Sequence, residues 1–263
     1  MPDPIIKAQH DEPMRAAIIM AKRTFKYFWR ELSWESRRII PGLETSAIKV
    51  PIKTDKKGDG IPEYEHMWFN NIEFDGNIVS GDLLNEPSWI SGIKTGDRSG
   101  FKIEEISDWL YAINGRAYGG FTVNAMRLTM DTRSKADHDR AWGLDFGDPR
   151  RILIVPSNTK KGLFGLFKGK DGYEDGDDIP EHPMSLNMAE KCEEGIRSNP
   201  DPFIKINEDG TSMLHFDASA GNLTQVKILL KYGADKNLKD KNGFKPIDLA
   251  KKLQWPKVID ALL

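Results

Sequence analysis

The feature that most constrains this chain is a repeat near its C-terminus whose period can be counted. Asp209-Gly210-Thr211-Ser212-Met213-Leu214-His215-Phe216-Asp217-Ala218 is matched by Asn242-Gly243-Phe244-Lys245-Pro246-Ile247-Asp248-Leu249-Ala250-Lys251. The glycines Gly210 and Gly243 stand 33 positions apart, and at that step Leu214 meets Ile247, Val226 meets Ile259, and Leu229-Leu230 meet Leu262-Leu263. A chain that repeats at this length builds one supersecondary unit more than once, and each unit buries its apolar face only against its neighbours. Two units do not normally stand alone, so a decayed unit is expected before them. Residues 184–198, with Leu186, Met188, Ala189, Cys192 and Ile196 apolar, read as one amphipathic helix of that unit. At the same step before Gly233 and Asp235 stand Pro200 and Pro202, which fits a decayed unit whose turn survives.

With Gly221-Asn222, Val226-Lys227-Ile228-Leu229-Leu230, Gly233-Ala234-Asp235 and Asn237 in their places, the segment resembles the ankyrin repeat. The resemblance implies an all-α C-terminal domain of turn–helix–helix units that works by protein recognition. His215 then takes a hydrogen-bonding role near a helix start. The sequence departs from the pattern at Ser212-Met213, at Asp217, where alanine is expected, and at Pro256, which interrupts the second unit. A buried carboxylate without a partner is costly, so Asp217 is expected to swivel toward the linker or the N-terminal domain. Cys192, on an apolar face, reads as core and not as a nucleophile.

The N-terminal part has a different composition. Six of the seven tryptophans (Trp29, Trp34, Trp68, Trp89, Trp109 and Trp142) lie in the first 142 residues. Asp11-Glu12-Pro13 opens a helix, along which Met14, Ala17, Ile18, Ala21, Phe25, Phe28, Trp29 and Leu32 form one apolar stripe. Lys22, Arg23, Lys26 and Arg30 fall mainly on the opposite face and are expected to be solvated. Ile48, Val50 and Ile52 alternate with Lys49, Pro51 and Lys53, a half-buried strand whose proline suggests a sheet edge. Asp75-Gly76 and Asn114-Gly115 between apolar runs predict hairpins, because tight hairpin turns need positive φ. A long helix with hairpins makes an α+β domain on a mainly antiparallel sheet.

Several ordered blocks in this region resemble the YegJ-like bacterial domains of unknown function. They are 21–25, Phe28-Trp29-Arg30-Glu31-Leu32-Ser33-Trp34, Arg37-Arg38-Ile39-Ile40-Pro41-Gly42-Leu43, Glu65-His66-Met67-Trp68, Gly81-Asp82-Leu83-Leu84-Asn85-Glu86-Pro87, Ile106-Ser107-Asp108-Trp109 and Tyr118-Gly119-Gly120-Phe121-Thr122. The resemblance implies a bacterial source and a small α+β domain, and it carries no established catalytic activity. The organisation read from sequence is therefore a YegJ-like domain over 1–155, a linker or surface loop over 156–183, and a short ankyrin array over 184–263.

Composition excludes several classes of function. Lysine and arginine number 38 against 40 aspartate and glutamate, a net charge of −2 that lacks the cationic excess a nucleic-acid binder needs. Hydrophobic residues at 39% can bury a core, so the chain is not expected to be disordered. One cysteine excludes an internal disulfide and fits a reducing compartment. The longest apolar runs, 16–21 and 152–155, are too short to span a bilayer, and the N-terminus lacks a signal peptide. A cytoplasmic protein without a membrane or nucleic-acid partner is expected.

Chemistry-bearing motifs are sparse. No phosphate loop, His-Glu-x-x-His motif or nucleophile elbow is present, and the five histidines are scattered, so no metal, cofactor or catalytic residue is assigned. Glu65, His66 and Trp68, with Asp108, Tyr111, Arg116 and Tyr118 nearby, make either a polar cluster on one sheet face or exposed, hairpin-stabilising pairs; the second reading is preferred. Arg37-Arg38 binds an anion or partner carboxylate, or forms surface ion pairs. Gly162-Leu163-Phe164-Gly165-Leu166-Phe167 is either docked or offered to a partner. The function expected is a non-enzymatic protein-binding module, specifically an immunity protein that binds and neutralises a cognate bacterial toxin. The alternatives are an enzyme or small-ligand binder with its site on the N-terminal sheet, and a scaffold with no toxin. Partner contact is expected at Lys239, Lys241, Asn242, Phe244 and Lys245 on a projecting turn, with Phe164 and Phe167 as accessories.

Overall fold

A computed structural model of the chain describes residues 12–157 and 172–263. The long helix expected from the apolar stripe is α1 (Glu12–Glu35). Its two halves differ. Up to Phe25 it buries one side, through Met14, Ala17, Ala21 and Phe25, and leaves Lys22 and Arg23 exposed. From Phe28 to Trp34 every residue is buried, including Arg30 at 3% exposure and Glu31 at 2%. A helix buried all round belongs to the interior of something. The described residues form two compact units, and their boundary falls within α1: one comprises 12–25, 42–73, 78–157 and 172–177, the other 26–41, 74–77 and 178–263. This grouping cuts across the 1–155, 156–183 and 184–263 division read from sequence.

Arg30 is accordingly not solvated. Its Nη1 donates to the Pro180 carbonyl at 3.0 Å, and its guanidinium lies 5.1 Å from the Tyr27 ring and 5.7 Å from that of Trp255. Lys26 is half-buried and donates to the Gln254 carbonyl at 3.1 Å. Burial is tolerated because carbonyls and aromatic faces replace water around the cations.

The first unit is built on a six-stranded sheet of β1 (Thr45–Lys53), β2 (Tyr64–Phe74), β3 (Val79–Leu83), β4 (Arg98–Phe101), β5 (Asp108–Ile113) and β6 (Arg116–Gly119), in the order β4-β3-β2-β1-β5-β6. β1 pairs antiparallel with both β2 and β5, so the strand expected at an edge is interior. Pro51 is accommodated because pairing with β5 runs only from Thr45 to Lys49, and the missing N–H falls beyond that ladder. The Asn114-Gly115 turn joins β5 and β6 with φ of 50° and 72°, the positive values that a two-residue hairpin demands.

Strand alternation gives the sheet two faces. On one, Trp109 stacks on Tyr111 and donates its indole N–H to the Ala21 carbonyl of α1 at 2.9 Å. On the other, Leu110, Ala112 and Ala117 form a core with Val123, Leu144 and Phe146; Val123 lies on α2 (Phe121–Arg127), and α3 (Thr132–Trp142) leads into Leu144. A short ribbon of β7 (Val155–Pro156) and β8 (Gly172–Tyr173) completes the unit.

The second unit is helical beyond residue 178: α4 (Pro183–Asn187), α5 (Ala189–Ser198), α6 (Asp201–Ile204), α7 (Met213–Ala220), α8 (Leu223–Lys231), α9 (Pro246–Lys252) and α10 (Pro256–Leu262). α7 packs on α9 and α8, while α8 also packs on α10, α5 and α4. The single helix expected over 184–198 is two helices, broken at Met188 with φ −91° and ψ 0°. α6 stands where the surviving turn was expected around Pro200 and Pro202. Pro256 does not interrupt its unit. It opens α10, where a missing N–H costs nothing.

Candidate functional site

The strongest regularity in the second unit is a set of backbone hydrogen bonds that recurs every 33 residues. Asn207 N–H to Thr211 O (2.8 Å) recurs as Asp240 N–H to Phe244 O (3.0 Å), and Gly210 N–H to Asn207 O recurs as Gly243 N–H to Asp240 O, both at 2.9 Å. Between the helices, Asn222 N–H to Asp217 O (3.0 Å) recurs as Trp255 N–H to Ala250 O (2.9 Å). The residue before each of these donors is left-handed, Gly221 at φ 73° and Gln254 at φ 56°. Two turn–helix–helix units thus share one backbone plan. His215 has the hydrogen-bonding place near a helix start that was expected, its Nδ1 accepting the Ser212 N–H at 3.2 Å, and it also ties the two units together, its Nε2 facing the Phe244 carbonyl at 3.1 Å. That pattern places the proton on Nε2.

Five of the residues expected to meet a partner lie together on the second turn. Lys239, Lys241 and Asn242 are exposed, while Phe244 and Lys245 are half-buried. Asp240 organises the turn, its Oδ1 accepting the N–H groups of Asn242 (2.9 Å) and Phe244 (2.8 Å). The Phe244 ring is not free, since Lys252 Nζ lies 5.5 Å from its centroid. Lys241 Nζ stands 3.4 Å from Asp75, and Lys245 Nζ donates to Asn237 Oδ1 at 3.2 Å. In the first turn, hydrogen bonds from the Thr211 hydroxyl and N–H hold the Asp209 carboxyl below its usual range. Phe164 and Phe167 lie outside the described residues.

Asp217 is 1% exposed and does have a partner, one supplied by the N-terminal sequence. Arg37 Nη2 donates to its Oδ1 at 2.6 Å and Asn222 Nδ2 to the same oxygen at 2.8 Å. The Arg37 guanidinium is sandwiched between the rings of Trp34 (4.6 Å) and Phe216 (4.9 Å). Burial pushes the Asp217 carboxyl upward, against the pull of Arg37. Arg38 pairs with Glu35 at 2.9 Å, so among Arg37 and Arg38 neither is reserved for an outside anion. Cys192 is half-buried, and burial with the nearby Asp217 charge pushes its thiol up to about 11.

The polar residues noted on the N-terminal sheet do not converge. Asp108 and Tyr111 are on opposite faces by strand alternation, and Tyr111, stacked on Tyr118, donates its hydroxyl to the Ile154 carbonyl at 2.8 Å. Glu65 accepts the N–H groups of Ser88 and Trp89, and Arg116 pairs with Asp145. His66 Nδ1 is 3.4 Å from Ser107 Oγ. What the sheet does assemble is a Lys49–Thr122–Asp108 chain. The fully buried Asp108 carboxylate accepts the N–H groups of Trp109, Phe121 and Thr122 and the Thr122 hydroxyl, and Lys49 Nζ lies 3.2 Å from that hydroxyl. Burial pushes Lys49 down and Asp108 up, each partly countered by the other. Two of these bonds hold the N-terminus of α2, so the carboxylate acts as its cap. Sequence reading missed Lys49 and Thr122. The available signal was a lysine between Ile48 and Val50 on a strand with a buried face.

Among the described residues there is no group of three or more His, Cys, Asp or Glu side chains arranged to hold a metal ion, and no helix is long and apolar enough to cross a membrane.

Comparison with known proteins gives two relatives. The chain is 39% identical over 254 residues, 97% of its length and 94% of the relative's, to the Neisseria meningitidis serogroup B (strain MC58) protein named "Putative ankyrin repeat protein NMB1133/NMB1171". It is 29% identical over 98 residues, 37% of this chain and 60% of the relative's, to "Uncharacterized protein YegJ" of Escherichia coli K12. The family described as "Uncharacterized protein conserved in bacteria (DUF2314)" matches residues 11–146, the region that holds α1, the sheet and the Asp108 cap. The chain belongs to the DUF2314 family of bacterial proteins.

Proposed function

We propose that this chain is a non-enzymatic protein-recognition module of the ankyrin type, and that its partner is a cognate bacterial toxin that it binds and neutralises in the cytoplasm. The observation that carries the reading is the recurrence of backbone hydrogen bonds at a 33-residue step through two turn–helix–helix units. The name of the relative that is 39% identical over nearly the whole chain supports it. Repeats of this kind recognise proteins through projecting turns and the helices beside them. The turn at 239–245 has exposed lysines that would steer an acidic partner surface and raise the association rate. The toxin as partner rests on the pairing of such an array with a bacterial family domain in which Glu65, Tyr111 and Arg116 are spent on internal bonds.

Affinity purification of the tagged chain from its own host, with the products of adjacent genes tested one by one, identifies the partner. Co-expression should then restore growth to cells carrying the toxin. A partner that has no effect on growth would argue for a scaffold instead. Lys239→Glu with Lys241→Gln should weaken binding at least tenfold, about 1.4 kcal/mol, with unfolding nearly unchanged, since the Lys241–Asp75 pair that is lost is exposed. Undiminished binding would move the interface elsewhere.

One observation favours a second reading, a small-ligand or catalytic site on the N-terminal sheet. Lys49 Nζ lies beside the Trp68 ring, 5.4 Å from its centroid, and burial lowers its proton affinity. Shifts of that kind gather at functional sites, although structural pairs produce them too. Loss of an activity or of ligand binding in Lys49→Met, with the fold retained, would support it.

A further inference from the structure

Asp217 and Ala250 occupy equivalent places in the two units, 33 residues apart. Ala250 is fully buried and satisfies its site with a methyl group. The same site in the first unit holds a carboxylate at 1% exposure. A charged group is out of place there unless something makes it necessary, because pairing two charges in an interior seldom outweighs their desolvation.

The residues around Asp217 show what makes it necessary. The second half of α1 and the residues just after it lie against α7 and the inter-helix turns. Trp29 donates its indole N–H to Ser219 Oγ at 3.0 Å, and its ring meets Phe216 edge-on at 5.6 Å. Trp34 donates to Asn222 Oδ1 at 2.9 Å. Arg37 reaches Asp217. Along α9 the cover continues with the 74–77 turn: Lys252 Nζ donates to the Gly76 carbonyl at 2.8 Å, and Phe74 packs edge-on against Trp29 at 5.3 Å. Trp29 and Trp34 of α1, with Arg37 just beyond the helix end, are the anchors of a segment laid in a groove.

We infer that the face formed by α7 and α9 is a receptor for the chain's own residues 26–38, keyed by Asp217, and that it is closed to outside proteins. The carboxylate contributes selectivity for a segment with an arginine just past its helix end and little net stability. An outside partner is left with the turns. This holds whatever the array recognises at its turns, and its test does not depend on finding that partner.

The selectivity claim is tested in the full chain by comparing Arg37→Ala, Asp217→Ala and the double variant in denaturant unfolding. Asp217→Ala places the second unit's residue at the site, leaves Arg37, 25% exposed, within reach of water, and takes the acceptor from the buried Asn222 amide N–H. Its unfolding constant should rise about tenfold, the cost of that unsatisfied amide, whereas Arg37→Ala, which removes the cation paired with a buried carboxylate, should raise it about 100-fold or more. The double variant should return to within about tenfold of Asp217→Ala. Equal losses in both single variants with no recovery would make the pair an ordinary stabilising contact and overturn its role as a key. Closure is tested with Ser219→Cys in a Cys192→Ser background, using Lys239→Cys as the exposed reference. Maleimide should label the reference at once and Cys at 219 only as fast as the second unit unfolds. Labelling of the two at comparable rates would show that the face opens, and would overturn closure.

Discussion

Trp34 and Asn222 lie 188 residues apart in sequence and are joined by a 2.9 Å hydrogen bond from indole Nε1 to amide Oδ1, both groups buried. The same Asn222 turns its amide nitrogen to Asp217 at 2.8 Å, so one side chain links α1 to the carboxylate that Arg37 holds.

Removing that indole donor should be felt throughout the second unit. Trp34→Phe keeps an aromatic ring, though a smaller one, and leaves the Asn222 oxygen unsatisfied, at a cost of about 1–3 kcal/mol. Trp34→Ala adds a cavity and should cost about 3–5 kcal/mol. Urea unfolding followed by far-ultraviolet circular dichroism checks both values. Losses below 0.5 kcal/mol, an order-of-magnitude threshold set by ordinary surface changes, would show that the contact is dispensable.

Gly221 and Gly233 make a paired control for backbone strain. Both have positive φ, 73° and 88°. A Cβ at Gly221 would come within 2.4 Å of the Trp255 ring, whereas one at Gly233 meets nothing within 4 Å. Gly233→Ala should therefore cost only about 1 kcal/mol for its left-handed backbone, and Gly221→Ala distinctly more, about 3 kcal/mol, because a rigid indole must also move. Comparable melting temperatures for the two variants would contradict the close approach of Trp255.

Cys192 should be a poor nucleophile. Its thiol is pushed up to about 11, against about 8.5 for a free cysteine, so far less thiolate is present at neutral pH. Iodoacetamide should modify the native chain about 100-fold more slowly than a model thiol at pH 7.5, with the rate still rising beyond pH 9. A rate that levels off near pH 8 would remove the burial argument.

Asp209 supplies the pH test. Its carboxyl is held below the usual range by the Thr211 hydroxyl and N–H, so the folded turn binds its proton less readily than the unfolded chain does. Its contribution to stability is therefore complete above the ordinary aspartate value, about 3.9, and is lost as pH falls through the lower folded value. A titration of the Thr211 amide by NMR should give a midpoint below that of an unpaired aspartate, and Asp209→Asn should abolish the transition.

What could be read from the sequence was local in origin. The first half of α1, the Asn114-Gly115 hairpin and the 33-residue step each follow from a period or a turn within a short window, and each is present in the structure. The second half of α1 was misread because its polar residues imitate a solvated face. Arg30, Glu31 and Arg37 are met by Pro180, His182 and Asp217, which lie 150 or more residues away, and no local pattern announces such partners. The Lys49–Thr122–Asp108 chain escaped for a similar reason, since it depends on which strands pair and in what register.

That the family domain's long helix is shared with the repeat array is tested most directly by native-state hydrogen exchange on the full chain in low denaturant. The amides of residues 28–35 should lose protection together with those of α7 and α9, at the same denaturant concentration and with the same free energy of opening. If those amides instead open with β1 and β5 while α7 and α9 stay protected, the second half of α1 does not belong to the array.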